Sequence, residues 1–322
     1  MKIRKFEVIN IILSIFLISS LYGLSWFYIN YVNDRTVKFM EYNKLPDNSV
    51  DIVSLGSSHG KFAIKLDKKN QMNLALESQR FYYDLQLLKK YESKIKKGAI
   101  VIVPISIFSF YENDEFFNGE TYKNYINLLE KNDIKKKLKN SEYFLTKNFS
   151  VFYPPVRLVE TIKYLLKEKN KKNYIHYGTG IRGEALTREA IGTAKGHYSG
   201  LKKEYKKNGI TSLNNILKYS EERDYKIILI ITPYWHEYTG ELIRFEKDVF
   251  ENKIYKNLKE IEMSQEKRYI FLDYSLDERF KNNIEYFLDD DHLNENGAEY
   301  FTKILLNDIE KNLKDKSDER KI

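Results

Sequence analysis

Two short stretches of this sequence hold the residue types that nucleophilic chemistry requires. Residues 51–60 read Asp-Ile-Val-Ser-Leu-Gly-Ser-Ser-His-Gly, so two serines follow a short apolar run on a glycine-bounded turn. Residues 289–294 read Asp-Asp-Asp-His-Leu-Asn. A serine hydroxyl becomes a nucleophile when a histidine accepts its proton and a carboxylate orients that histidine. Together the two stretches predict a serine-dependent acyl-transfer site.

The order and spacing of these residues suggest a role for each. We expect Ser58 to be the nucleophile, His292 the general base and Asp289 the carboxylate that orients the imidazole. A separation of three residues allows the Asp289 carboxylate to accept the proton on Nδ1 of His292, which leaves Nε2 facing Ser58. The predicted intermediate is an acyl group carried on Ser58.

Neighbouring residues compete for two of these roles. Ser57 is an alternative nucleophile, and Asp290 and Asp291 are alternatives for the orienting carboxylate. A plainer interpretation is a polar turn in the first stretch and, in the second, an acidic helix start capped by Asn294. The predicted order, with the serine after the first strand and the acid and histidine near the end of the chain, favours the chemical interpretation.

The other histidines are scattered along the chain. His59 follows the candidate nucleophile and could brace the turn or touch a substrate. His197 and His236 are candidates for substrate binding, since His236 follows Tyr234 and Trp235 and aromatic rings can stack on sugars. Five histidines without metal-ligand spacing, in a chain without cysteine, predict no metal site. We expect no cofactor.

Composition narrows the range of partners. The chain has 322 residues, no cysteine and a formal net charge of +8. Basic and acidic residues alternate along most of its length, and no dense basic block or nucleic-acid motif stands out, so we expect no nucleic-acid partner. The excess positive charge suits an anionic membrane or wall polymer.

Residues 1–34 have the pattern of a membrane anchor. Basic residues at positions 2, 4 and 5 precede a stretch, residues 8–33, that has no charged side chain, and about 20 apolar residues suffice to span a bilayer. The positive-inside rule predicts a cytoplasmic N-terminus and an extracytoplasmic body. A cleaved signal peptide is the alternative, but the apolar stretch is long for one and no Ala-x-Ala sequence precedes Trp26. We therefore expect a single-pass cell-membrane protein.

The remainder, residues 35–322, alternates between apolar runs and helical periodicity. Runs typical of buried strands cover residues 52–55, 72–75, 99–105, 226–233 and 269–273. Helical spacing is seen from about Ser78, the expected N-cap, and over 212–222, 242–263 and 296–313. This alternation predicts an α/β fold: a doubly wound, mostly parallel sheet.

Residues 112–208 interrupt the alternation. They are rich in Tyr, Asn and Lys and contain Pro154-Pro155. We expect a mainly helical insertion between the third and fourth strands, where it would shape access to a substrate.

The motifs resemble those of the SGNH/GDSL hydrolase superfamily. Residues 56–60 also satisfy the Gly-x-Ser-x-Gly pattern of α/β-hydrolases, but here the serine follows the first strand and the acid and histidine lie three residues apart. Gly56-Ser57-Ser58 resembles the first block of the SGNH superfamily, and Asp289-x-x-His292 the last. The resemblance implies a flavodoxin-like SGNH fold and the same roles for Ser58, His292 and Asp289.

The oxyanion residues of that superfamily are not matched. Its second block supplies a glycine and its third an asparagine, whereas this chain has Ala75 and Ser106 near the corresponding positions. On the resemblance, a backbone N–H near Ala75 and the Ser106 hydroxyl would stabilise the oxyanion. Loss of one such donor typically costs about 100- to 1,000-fold in rate.

Within the superfamily the chain is similar to membrane-anchored extracellular branches, which include teichoic-acid D-alanine transfer proteins and alginate and peptidoglycan O-acetyltransferases. The N-terminal anchor and the terminal Asp-x-x-His-Leu-Asn carry this likeness. It implies that a multi-span membrane O-acyltransferase donates an acyl group, most simply acetyl, which passes through Ser58 to a surface glycan or wall polymer. An esterase acting on surface polysaccharide or lipid, and a non-catalytic anchored binding protein, are the alternatives.

Overall fold

The computed structural model describes residues 5–110, 112, 120–152, 156–166, 184–199, 206–245, 269–281 and 283–319. The chain forms two compact units. One contains residues 1–44 and 115–174, and the other contains residues 45–114 and 175–322. The region predicted as one insertion, residues 112–208, therefore contributes to both units.

The described residues form helices in both units and strands in the second unit. The helices are α1 (Lys5–Phe27), α2 (Asp34–Asn43), α3 (Ser58–Ala63), α4 (Phe81–Lys90), α5 (Asn140–Asn148), α6 (Val156–Leu166), α7 (Glu184–Ser199), α8 (Lys206–Glu222), α9 (His236–Phe245), α10 (Glu278–Lys281) and α11 (Glu295–Glu319). The strands are β1 (Val50–Ser54), β2 (Gln71–Asn73), β3 (Ile95–Pro104), β4 (Lys226–Ile231) and β5 (Tyr269–Asp273). A π-helical turn, Tyr28–Val32, extends α1, and a 3-10 turn, Ser150–Phe152, joins α5 to α6.

The five strands form one parallel sheet in the order β2-β1-β3-β4-β5. The predicted α/β class with a mostly parallel sheet is confirmed. In this order β1 lies between β2 and β3, so the direction of winding reverses there, and open α/β sheets bind ligands beyond the carboxyl ends of the strands at such a point. The turn that carries Ser57 and Ser58 follows β1, so it lies where the direction of winding reverses.

Helices flank the sheet and bury its apolar strands. Helix α8 packs against α4 and β4, while α3 packs against α11 and β3. Residues 227–231 of β4 are all buried, as expected for a parallel strand covered on both faces.

The first unit begins with the predicted membrane helix. Residues Phe6–Val32 form one helix that is long and apolar enough to cross a membrane. Asn33 then caps α2, because its side chain accepts hydrogen bonds from the backbone of Arg35 and Thr36.

Two helix predictions differ from the structure. Ser78 is not the N-cap of α4: it has a φ of 59°, in the left-handed region, and the N-cap is Arg80. The prediction failed because Ser78 lies in a tight turn that precedes the helix by two residues. The helix expected over 242–263 begins earlier, as α9, and residues 246–268 lie outside the described residues, as does Pro154-Pro155.

Candidate active site

The turn that carries the two serines depends on Gly56. Its φ of +105° is a conformation that side chains with a Cβ rarely adopt. Its N–H donates a hydrogen bond of 2.6 Å to Oδ1 of Asp84, a fully buried carboxyl at the start of α4. The glycine and the buried acid together fix where β1 ends and where the turn begins.

Gly60 is required for a different reason. A Cβ on this residue would lie 2.5 Å from the carbonyl oxygen of Leu55 and 3.0 Å from Pro104. Helix α3 therefore lies directly against the ends of β1 and β3. Both glycines of the Gly-x-Ser-x-Gly pattern thus have a steric role in placing Ser58 at the first position of α3.

The carboxyl of Asp84 is the least expected feature of this turn. Burial raises the pKa of Asp84 to about 7, although hydrogen bonds from Gly56 and Gln79 act in the opposite direction. No pattern in the sequence marks this residue, because its role follows from its burial beneath a turn that lies 28 positions away.

His292 and Asp289 are in direct contact. Nδ1 of His292 lies 2.9 and 3.0 Å from the two carboxylate oxygens of Asp289. The backbone N–H of His292 also donates to Oδ1 of Asp289, at 2.8 Å. The three-residue spacing therefore closes a local turn in which one carboxylate holds both the backbone and the ring of the histidine.

A second carboxylate, Asp291, contacts the same imidazole. Its Oδ1 lies 2.9 Å from Nδ1 of His292, and its Oδ2 lies 3.2 Å from Nε2 of His59. The side chain of Asp291 is 5% exposed and that of His59 is 1% exposed. Nδ1 of His292 therefore lies within hydrogen-bond distance of both carboxylates, and the charge of Asp291 has the larger effect on the pKa of His292. His59 is neutral and donates from Nε2.

The charges in this cluster shift the pKa values of all three groups. Burial by itself lowers the pKa of His292, but the charge of Asp291 and hydrogen bonds to both carboxylates outweigh it and raise the pKa to about 10. Burial opposes ionisation of Asp291, yet His292 and His59 hold its pKa well below the usual range. Burial lowers the pKa of His59 despite its bond to Asp291. At neutral pH His292 is therefore an imidazolium.

Helix α3 brings the imidazole to the serine turn. The ring of His292 stacks on His59, with centroids 5.1 Å apart, and meets the ring of Phe62 edge-on at 5.2 Å. Phe62 and Ser58 are four residues apart on α3 and so share a face. Nε2 of His292 is buried and has no hydrogen-bond partner among the described residues, so it is not yet bonded to the half-buried Ser58.

The competing residues lie in different surroundings. Ser57 is buried and occupies the N-cap of α3, where its side chain makes no capping bond. Asp290 has other partners: its backbone oxygen accepts a hydrogen bond from the N–H of Trp235, and its side chain is hydrogen-bonded to Thr193. Burial, with the charge of Asp291 next in size, raises the pKa of Asp290 to about 6.

The structure brings His197 to the cluster. Its Nδ1 lies 2.7 Å from the hydroxyl of Tyr238 and 3.9 Å from Oδ2 of Asp291, and its side chain is 31% exposed. Helix α7, which carries His197, packs against α9, which carries Tyr238. Tyr238 in turn meets the ring of Tyr234, which contacts His59. His197 is therefore the most accessible histidine of the group around Asp291.

His236 is engaged elsewhere. Its Nδ1 lies 2.5 Å from the carbonyl oxygen of Lys281, and its Nε2 lies 2.9 Å from Glu237. Its ring packs on Trp235, with centroids 4.4 Å apart. These contacts tie the start of α9 to α10, and the substrate role expected for His236 stays a prediction.

The two residues expected to line an oxyanion hole are both engaged. The N–H of Ala75 donates to Oδ1 of Asn73 at 3.0 Å. The hydroxyl of Ser106 lies 2.9 Å from that of Ser109, whose oxygen also accepts the N–H of Ser106. Each would have to leave its present partner to stabilise an oxyanion, so these roles stay predictions.

The fold also gathers groups able to ligate a metal. His59, Asp291 and His292 each place a ligand atom within 4.8 Å of the others. Imidazole nitrogens with one carboxylate suit zinc and similar ions. The scattered sequence positions gave no indication of this cluster, and here Asp291 contacts one nitrogen of each histidine.

Comparisons with known proteins add no identification. No family model matches the chain, and no curated protein matches it. Any functional conclusion therefore depends on the geometry of the site.

Proposed function

We propose that this chain is a membrane-anchored, extracytoplasmic serine O-acyltransferase of the SGNH type. The observation that carries the proposal is the state of His292: Nδ1 is held by Asp289, Nε2 has no hydrogen-bond partner among the described residues, and the ring packs on α3. An imidazole held by a carboxylate at one nitrogen, packed on the helix that Ser58 begins, becomes the base that nucleophilic acyl transfer needs once the ring has lost its proton.

The chemistry follows from these positions. Once His292 has lost its proton, Nε2 accepts the proton of Ser58 as Oγ attacks an acyl carbonyl. The imidazolium that forms is stabilised by the carboxylates of Asp289 and Asp291, and it then protonates the leaving group. The ester on Ser58 is resolved when a second hydroxyl attacks and His292 repeats the cycle.

Several features support a polymer hydroxyl as the acceptor. The anchor would keep the site near the cell surface, and the net charge of +8 favours an anionic polymer or membrane. The imidazole of His197 is 31% exposed and lies 2.7 Å from the Tyr238 hydroxyl. It offers a polar contact for a sugar hydroxyl near Asp291. The donor would be a multi-span membrane O-acyltransferase, as the family resemblance implies.

The acyl-enzyme is the direct test. Full-length protein in lipid nanodiscs is mixed with nitrophenyl acetate, which needs no natural donor. We expect a burst equal to the amount of enzyme, a stable ester on Ser58 detectable by peptide mass, and slow release that an added oligosaccharide accelerates. The burst should be absent in Ser58→Ala and retained in Ser57→Ala, its matched control. A burst that depends on Ser57, or on neither serine, would contradict the proposal.

An anchored binding protein without catalysis is the second candidate. It is favoured by the engagement of Ala75 and Ser106, which leaves both expected oxyanion donors satisfied inside the protein. A folded protein that shows no burst and no labelling by a fluorophosphonate would support it. Fast, steady hydrolysis with no response to any glycan would instead indicate an esterase.

A further inference from the structure

A group of exposed apolar side chains lies on α5 and α6 of the first unit. It consists of Phe144, Leu145, Val159, Ile162, Leu165 and Leu166. We call this group the α5–α6 apolar surface. These side chains are between 46% and 81% exposed. Among the described residues, most of the exposed large hydrophobic side chains outside the N-terminal helix belong to this surface.

The exposed residues of α6 follow helical spacing. Val159, Ile162, Leu165 and Leu166 recur at intervals of three and four, so they form one stripe. Thr161, four residues before Leu165, is fully buried and marks one edge of the stripe. Lys163, which is exposed, stands beside the stripe with a stem long enough to bring its charge to a lipid headgroup. An amphipathic helix of this kind is typical of proteins that lie in a membrane interface.

The same elements pack against the C-terminal part of α1. Tyr22 meets Phe149 edge-on at 6.5 Å, and the hydroxyl of Ser25 accepts the N–H of Val151 at 3.4 Å. The guanidinium of Arg157 lies 5.7 Å from the ring centroid of Tyr28. Residues near both ends of the α5–α6 connection therefore contact the last turns of the N-terminal helix.

The number of exposed residues at the start of α1 indicates how deep in a bilayer these contacts would lie. From Val8, where the charge-free stretch starts, to Ser20, every residue is exposed, and burial begins at Leu21. Thirteen helical residues cover ~20 Å at 1.5 Å each. The hydrocarbon core of a bilayer is ~30 Å thick. The remaining ~10 Å has to be crossed by residues that are already packed against the first unit.

We propose that the α5–α6 apolar surface lies in the lipid, in the leaflet that the C-terminal end of α1 reaches. This inference rests on the proposed anchoring of α1. Because α5, α6 and the turn between them contact the last turns of α1, they must enter the acyl-chain region together with α1. The exposed faces of α5 and α6 carry the apolar side chains that such a position requires. Helices satisfy their own backbone hydrogen bonds, so both elements can be lipid-exposed. Lipid, rather than a second protein, is the occupant because ring contacts join this surface to α1: Tyr22 meets Phe149, which in turn meets Phe144.

The chain has no cysteine, so a cysteine introduced at one position is the single site for a thiol-reactive dye. Site-directed labelling therefore tests the proposal directly. Single variants Leu145→Cys and Leu165→Cys are labelled with a nitrobenzoxadiazole dye, and the full chain is placed in vesicles of phosphatidylcholine and phosphatidylglycerol. Phe16→Cys on α1 reports the anchor. Leu276→Cys, which is 52% exposed in the other unit, is the matched control. Lipids that carry a nitroxide at shallow or deep acyl positions serve as quenchers.

We expect blue-shifted emission at positions 145 and 165, with quenching by the shallow nitroxide at least threefold stronger than at position 276. Phe16→Cys should be quenched best by the deep nitroxide. If position 16 is quenched while positions 145 and 165 behave like position 276, the surface is not in lipid and the anchor still stands. If position 16 also behaves like position 276, both proposals fail. Labels at 145 and 165 that are shielded from water but not reached by lipid quenchers would indicate a protein partner and overturn the inference.

Discussion

Two carboxylates lie against His292, and they differ mainly in burial. The side chain of Asp289 is 32% exposed and forms a local turn with the histidine three residues later. That of Asp291 is 5% exposed and bridges His292 to His59, which is 232 positions away in sequence. A buried charge that loses a partner is costly, whereas an exposed one can turn to water. We therefore expect the loss of Asp289 to affect mainly the proposed reaction, and the loss of Asp291 to affect both the reaction and the stability of the fold.

The largest effect should come from removing the exposed carboxylate. In Asp289→Ala, His292 loses the carboxylate that holds both its backbone N–H and its Nδ1, although Asp291 remains 2.9 Å from Nδ1. Because the ring is then no longer held in the local turn, we expect the rate of acyl-enzyme formation to fall by about 10³- to 10⁴-fold. The melting temperature should stay close to that of the unmodified protein, because water can replace an exposed partner. Stopped-flow burst kinetics and calorimetry measure the two quantities. A large loss of stability would remove the distinction between the carboxylates.

Removal of the buried carboxylate should act on stability. Asp291→Ala leaves His59 without its acceptor and His292 with one counter-charge, and we expect a loss of about 3–5 kcal/mol in the free energy of unfolding. Asp291→Asn keeps the shape and should lose less. Denaturant titration of both variants, with Asp290→Ala as the neighbouring control, measures the difference. Equal stability of Asp291→Ala and Asp289→Ala would show that burial does not separate them.

The pH dependence should sharpen the same comparison. Because the carboxylates raise the pKa of His292 to about 10, the imidazole is protonated at pH 7 and the base form increases as pH rises. The burst rate should therefore climb between pH 7 and pH 10. In Asp291→Asn the raised pKa loses a main cause, so the rise should move to lower pH. A plateau reached near pH 7 in the unmodified protein would contradict the assignment.

A smaller effect is expected on the pH dependence of stability, from Asp84 beneath the turn that carries the serines. Its folded pKa of about 7 is above the ordinary value, so the folded state binds more protons than the unfolded state between about pH 4 and pH 7. Stability contributed by this group is present at the acid end of that window and falls as pH rises through it. Asp84→Asn should flatten this part of the stability curve. An unchanged curve would show that the carboxyl is ionised in the folded protein.

The smallest expected effect is that of chelation. His59, Asp291 and His292 could ligate a metal. In the proposed acyl transfer through Ser58, however, His292 acts as a base and no metal takes part. We therefore expect EDTA to leave the burst unchanged and added zinc to reduce it by competing for His292. Activity that is lost on chelation and restored by zinc would favour a metal-dependent reaction.

Much of the fold could be predicted because apolar runs are a local signal. Residues 226–233 are almost entirely apolar, and β4 occupies most of that run. The contact between Asp289 and His292 was equally local. By contrast, the bond between His59 and Asp291 and the approach of His197 depend on how distant elements pack, so spacing in the sequence could not indicate them. The position of Asp84 under Gly56 was missed for the same reason.

The short free part of α1 has a consequence for the choice of membrane. Only thirteen charge-free residues, from Val8 to Ser20, are clear of the rest of the chain. Mismatch between an apolar stretch and bilayer thickness costs a fraction of a kcal/mol per Å, which is enough to sort proteins among membranes. A thin bilayer would leave α5 and α6 near the headgroups, and a thick one would draw them towards the acyl chains. On the proposed anchoring, the length of the lipid acyl chains would therefore determine how deeply the first unit lies in the bilayer.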